Sequence, residues 1–211
     1  MTLSKITHPV RYRVYQFFSA LKAYLPAWAG GVHGELSATD QVLVESFLST
    51  MAQRRLFAKM SPNDQRHALA VARTLQQAGY QQLPLLQAAL LHDVAKSLGQ
   101  PIIHRVAIVL LEAFWPQALT RLSTPFSNPK PILPDQSHSA FIIQPSSFSY
   151  WRRPFIIHAH HPAIGAAWAK EANCDPLAVD LILLHQASLD SLADTYHQTL
   201  LEKLQWADNL N

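Results

Sequence analysis

An all-α fold is the structure this sequence predicts, and three observations carry the reading. Apolar residues recur at the spacing of a helix face, no segment alternates apolar and polar with a period of two, and hydroxyl, acid, Gly and Pro residues punctuate the apolar stretches. In residues 1–35, Val14, Phe17, Phe18, Leu21, Tyr24 and Leu25 share one face while Lys5, Arg11, Arg13 and Lys22 supply charge. This stretch reads as a basic amphipathic arm that docks on the core or joins two copies in a homodimer. Ser37 with Asp40, and Ser61 with Asp64, each place an acid three residues after a capping hydroxyl, the second pair with Pro62 at the first helical position. One helix is therefore expected from 37 to about Phe57, and a second, carrying His67, until Gly79 stops it.

Residues 83–95 are apolar on nearly every side, which predicts a central helix buried all round with His92-Asp93 at its C-terminal end. Another helix is expected over 103–115, ended by Pro116. From 122 to 150 the composition turns to Ser, Asn and Pro, with Pro125, Pro129, Pro131, Pro134 and Pro145 excluding a long regular element. This Pro/Ser-rich insertion loop exceeds the usual connection within a domain and marks a lid or a mobile connector. His161-Pro162 then opens an Ala-rich helix ending near Asn173. Asp175-Pro176 caps the next, which carries His185, and a last helix from about Asp190 carries Asp208. Residues 36–211 thus form one domain.

Composition narrows the function. With 49% hydrophobic and 15% charged residues, 211 residues can bury one substantial core. The one cysteine, Cys174, leaves no disulfide framework and no thiolate cluster, so a metal would be held by nitrogen and oxygen. No apolar run approaches the roughly 18–20 residues of a membrane span, and the N-terminus lacks the order of a signal peptide, so a cytoplasmic location is expected. A formal net charge of +3 suits a small anionic ligand. Without a dense basic or aromatic-basic stripe, no stable nucleic-acid or membrane partner is expected, and a nuclease is disfavoured.

Six groups stand out as metal-binding types: His67, His92, Asp93, His161, His185 and Asp208. A His-Asp pair alone is expected roughly 0.5 times by chance in such a chain, so the pair means little by itself. Its context means more, because two ionisable groups end the most apolar helix and would be costly there unless paired or coordinated. The order His67 in QRHALAVA, His92-Asp93 in ALLHDVAK, His161 in HPAIGAAWA, His185 in ILLHQ and Asp208 in WADN resembles the HD-domain metal-dependent phosphohydrolase superfamily, in its small bacterial form. The resemblance implies an HD-domain-like helical bundle and a metal site. His67, His92, Asp93 and Asp208 would hold one ion, His161 and His185 would complete a second, and Asp93 would bridge. His158 and His160 stand beside His161 as alternative ligands.

One or two divalent ions are implied, and imidazole with carboxylate suits Mn, Fe, Co, Ni or Zn. Such ions acidify a bound water and withdraw charge from phosphoryl oxygens, so the resemblance implies hydrolysis of a phosphate ester or anhydride in a small phosphorylated substrate, a nucleotide first. Asp93 and Lys96 would be catalytic. Lys96, matching the lysine of the HD-x-x-K pattern, would also bind substrate phosphate, as would Arg152 and Arg153. Trp151 and Tyr150 offer rings on which a base can stack. Two rivals keep the ligand set: a signalling module that senses a nucleotide without turnover, and a di-iron oxygenase.

Overall fold

The computed structural model describes residues 36–98, 102–124, 150–189 and 195–211, and within them the fold is all-α, with no strand. The basic arm of 1–35 and residues 125–149 of the insertion lie outside the described residues. The helices are α1 (Ala38–Phe47), α2 (Met51–Ala58), α3 (Pro62–Gln77), α4 (Leu83–Leu91), α5 (Ile102–Phe114), α6 (Pro116–Ser123), α7 (Arg153–Glu171), α8 (Pro176–Leu184) and α9 (Thr195–Leu210). Short 3-10 turns at Val94–Leu98 and Tyr150–Arg152 follow α4 and precede α7.

α4 is the centre. Every residue from Leu85 to Leu91 is buried, and α3, α8 and α9 pack around it with α1 and α2 beside them. Leu69, Leu75, Leu85, Leu86, Leu90, Leu91, Leu181, Ile182 and Leu201 are almost completely withdrawn from water, each contributing about 1.5–3 kcal/mol of burial. Polar cross-links fix the packing. Buried Gln87 donates to the Phe47 carbonyl and accepts from the Asp175 amide, and Gln53 donates to the Asn173 carbonyl. α7 lies on α8 and on the turn after α4, with α5 and α6 outside it.

The expected caps at Ser37, Ser61 and Asp175 are present, each side chain accepting from a backbone amide of the first turn. Gly79, at φ +90, closes α3, with the Tyr80 amide reaching back to the Leu75 carbonyl.

Four boundaries differ from the sequence reading, and each has a local cause. The helix expected over 37–57 is two, because Thr50 and Gln53 form a second capping box that starts α2. The central helix ends at Leu91 rather than near 95. His92 Nδ1 donates to the Ala89 carbonyl, the group the Asp93 amide would need to continue the helix, and the chain tightens into a 3-10 turn. Pro116 ends α5 but also starts α6, whose residues take over the first part of the insertion. Finally, Pro162 lies inside α7, nine residues after its start. A helix-interior proline costs about 3 kcal/mol, which longer packing on α8 and the 94–98 turn must offset.

Candidate metal centre

Six side chains from five elements converge. His67 comes from α3, His92 and Asp93 from the turn ending α4, His161 from the middle of α7, His185 from the end of α8 and Asp208 from the last turn of α9. His67, His92 and Asp93 bring ligand atoms within 4.8 Å of one another, and so do Asp93, His161 and His185, so Asp93 belongs to both groups. Its oxygens divide between them. Oδ2 lies 3.5 Å from His92 Nε2, whereas Oδ1 lies 3.4 Å from His161 Nε2 and 3.9 Å from His185 Nε2. Asp208 Oδ1 joins the first group, 2.8 Å from His67 Nε2 and 3.4 Å from His92 Nε2. His158 and His160, beside His161, face elsewhere: His158 Nε2 meets Glu112 at 3.0 Å, and His160 lines a cleft.

Three of the imidazoles are held in one tautomer by the same device. Nδ1 of His92, His161 and His185 donates to the carbonyl three residues earlier, on Ala89, His158 and Ile182, at 3.0, 2.6 and 2.7 Å. A carbonyl only accepts, so Nδ1 of each ring carries a proton and Nε2 faces inward, with a free lone pair wherever the ring is neutral, as burial makes His161 and His185. His161 Nε2 and His185 Nε2 then stand 3.3 Å apart with no proton between them, and His92 Nε2 is buried without a hydrogen-bond partner. Unshared buried lone pairs facing one another are unfavourable unless a cation lies among them. For ligand bonds of about 2.1 Å, neighbouring ligand atoms would stand roughly 3.0–3.4 Å apart, close to most of these separations. The buried His and Asp groups can therefore hold a metal ion.

Electrostatics follow the geometry. Burial disfavours a charged His92, but Asp93 and then Asp208 outweigh it and raise the imidazole to about 9. His185 moves oppositely, to about 3, through burial and then the charge of His92. Burial also lowers His161. Burial would raise both carboxyls, yet Lys96 and then His92 hold Asp93 well below its ordinary range, and the charge of His92 with the hydrogen bond from His67 does the same for Asp208. Lys96, disfavoured as a cation by burial, is raised by Asp93, whose Oδ2 accepts from its ammonium at 2.6 Å. The centre is graded in exposure: His161 and His92 are buried, while His67, Asp208 and Lys96 form a partly open edge.

The arginines expected to bind phosphate are placed differently. Arg152 is buried, and its guanidinium donates to the carbonyls of Arg121, Leu122 and Thr124, closing the C-terminal end of α6. These donors are directed at backbone rather than at the candidate metal centre, which weighs against the expected phosphate clamp. Arg153 is half-buried at the start of α7, and Trp151 beside it is exposed. Sequence reasoning missed three features. The His158–Glu112 pair is one, and Gln205, which donates to the carbonyls of His185 and Ala187 and closes α8, is another. The third is a cleft of about 460 Å³ lined by Thr120, Thr124, His158, His160 and Gln186 among others, of which His160 and Gln186 are the chain neighbours of the candidate ligands His161 and His185. Only the His-rich run at 158–161 hinted at it.

Comparison with family models, curated proteins and solved structures finds no match.

Proposed function

We propose that this chain is a metal-dependent phosphohydrolase of HD-domain type, acting on a phosphate ester or anhydride of a small molecule, a nucleotide first, in the cytoplasm. The supporting observation is the convergence of inward-facing Nε2 atoms and two carboxylates, with Asp93 common to two ligand groups. His67, His92, Asp93 and Asp208 would hold one divalent ion, and Asp93, His161 and His185 a second, of Mn, Fe, Co, Ni or Zn. When bound, such ions supply Lewis-acid polarisation of a phosphoryl oxygen and acidify water near neutral pH.

The chain's own residues do the rest. The i−3 carbonyls hold three rings with Nε2 facing inward, so a bound ion would have to displace only the proton that Asp93 and Asp208 hold on His92. Lys96 sets a cation at the partly open edge, where a phosphoryl group reaching Asp93 would meet it. The cleft lined by His160 and Gln186, the chain neighbours of His161 and His185, has the volume of a small-ligand site and would receive the part of the substrate that does not react. Its wall mixes hydroxyl, imidazole and amide groups, suited to hydrogen-bonding a nucleoside. The same ligand set would also hold two irons, which keeps the oxygenase as the competing reading.

A panel of phosphorylated metabolites assayed with added Mn²⁺, Co²⁺ or Fe²⁺, alongside metal analysis and dioxygen uptake, tests the proposal. Phosphate release that Asp93→Ala abolishes is the expected result. Iron-dependent dioxygen uptake without phosphate release, or tight nucleotide binding without turnover, would replace it with the oxygenase or the sensor.

A further inference from the structure

The three carbonyl-locked histidines reach the same geometry from different places in the fold. His92 and His185 follow the last residues of α4 and α8, and their acceptors, Ala89 and Ile182, lie in the last helical turn, where carbonyls lack an amide partner four residues on. His161 has no such advantage. It lies in the interior of the 19-residue α7, where the carbonyl at position 158 would ordinarily accept from the amide at 162. Position 162 is proline and has no amide hydrogen, and its ring pushes the i−4 carbonyl aside. That carbonyl is on His158, and it accepts from His161 Nδ1 at 2.6 Å, the shortest of the three contacts.

We propose that Pro162 is a positioning residue for the metal centre: by withholding one amide from α7 it frees the His158 carbonyl, which holds His161 in the Nδ1–H tautomer with Nε2 facing Asp93 and His185. The proposal rests on the metal-centre reading for its consequence, but the tautomer is a property of the metal-free chain. It also accounts for a helix-breaking residue in a helix that gains nothing in stability from it. In Pro162→Ala the amide returns, competes for the His158 carbonyl, and releases the imidazole to the other tautomer.

Stability and metal affinity then move in opposite directions, which a merely structural proline would not produce. The test uses the full chain, measuring ¹⁵N shifts of the His161 ring without metal at pH 7.5, melting temperature without metal, and Mn²⁺ and Zn²⁺ affinity by calorimetry. In wild type the Nδ1–H form is expected to dominate. In Pro162→Ala the Nε2–H form should appear, the metal-free melting temperature should rise, and affinity should fall about 10- to 100-fold. Pro176→Ala, at the start of α8 where the missing amide has no partner to lose, should change neither tautomer nor affinity. An Nε2–H form dominating in wild type overturns the proposal whatever the variants do, and so does a Pro162→Ala chain with unchanged tautomer and affinity. A wild-type chain that takes up no metal removes the functional reading, while its His161 shifts still decide the role of Pro162.

Discussion

At the scale of single residues, the decisive feature is direction. Asp93 turns one oxygen toward His92 and Lys96 and the other toward His161 and His185, so it reaches both groups. Arg152 shows the reverse case, a residue of the right chemical type facing the wrong way. Its side chain is buried on three carbonyls at the end of α6. Arg152→Ala leaves those carbonyls without donors and should lower stability by about 2–3 kcal/mol, with little effect on KM for a phosphorylated substrate. Urea unfolding together with steady-state kinetics would check this, and a large rise in KM at unchanged stability would restore the phosphate role. The types and order of the six candidate ligands were readable in the sequence, because few arrangements place so many imidazoles and carboxylates beside apolar helices. The directions of side chains were not, since they depend on carbonyls freed at helix ends and at Pro162.

At the scale of elements, the centre depends on how closely α7 approaches the turn after α4. Gly165 lies at this contact with room for one carbon and little more: a Cβ there would stand 3.4 Å from Val94 and from Ile182, ordinary contact, with the His92 carbonyl at 3.7 Å. Gly165→Ala is accordingly expected to be tolerated. Gly165→Val adds two methyl groups beyond alanine's Cβ to a filled contact and should cost about 1–3 kcal/mol while prising His161 from Asp93. Chemical denaturation and metal titration of both variants measure this, and a valine variant with native stability would show that the contact is looser. Caps at Ser37, Ser61 and Asp175 were legible because a hydroxyl or carboxylate followed by the right partner has a local mechanism. The early end of α4 was not. No Gly or Pro marks it, and the cause is the His92 side chain competing with the backbone for the Ala89 carbonyl.

For the molecule as a whole, a buried cluster of like groups should make the metal-free chain depend on pH in two separate windows. His185, depressed to about 3 from 6.5, stays neutral when folded but takes a proton when unfolded. Its contribution is therefore complete above about 6.5 and is lost as pH falls toward 3, a trend that lowered His161 reinforces. His92, raised to about 9, contributes fully below about 6.5 and loses that contribution as pH rises through 9. Stability of the metal-free protein should thus peak near pH 6.5, as urea midpoints across pH 4–9 would show. Midpoints unchanged between pH 4.5 and 6.5 would contradict the burial of these rings. Among the described residues no helix is long and apolar enough to cross a membrane, in keeping with the short apolar runs of the sequence.

The central claim is that five elements meet around an ion, with Asp93 common to both halves of the site. Calorimetric titration of metal-free protein with Mn²⁺ or Zn²⁺, read together with melting temperature, tests it most directly. Saturable uptake of one or two ions per chain is expected, stabilising the fold by about 2.7 kcal/mol at a hundred times Kd and lost in a folded Asp93→Ala chain. A wild-type protein that takes up no ion, or an Asp93→Ala protein that binds as tightly, would contradict it.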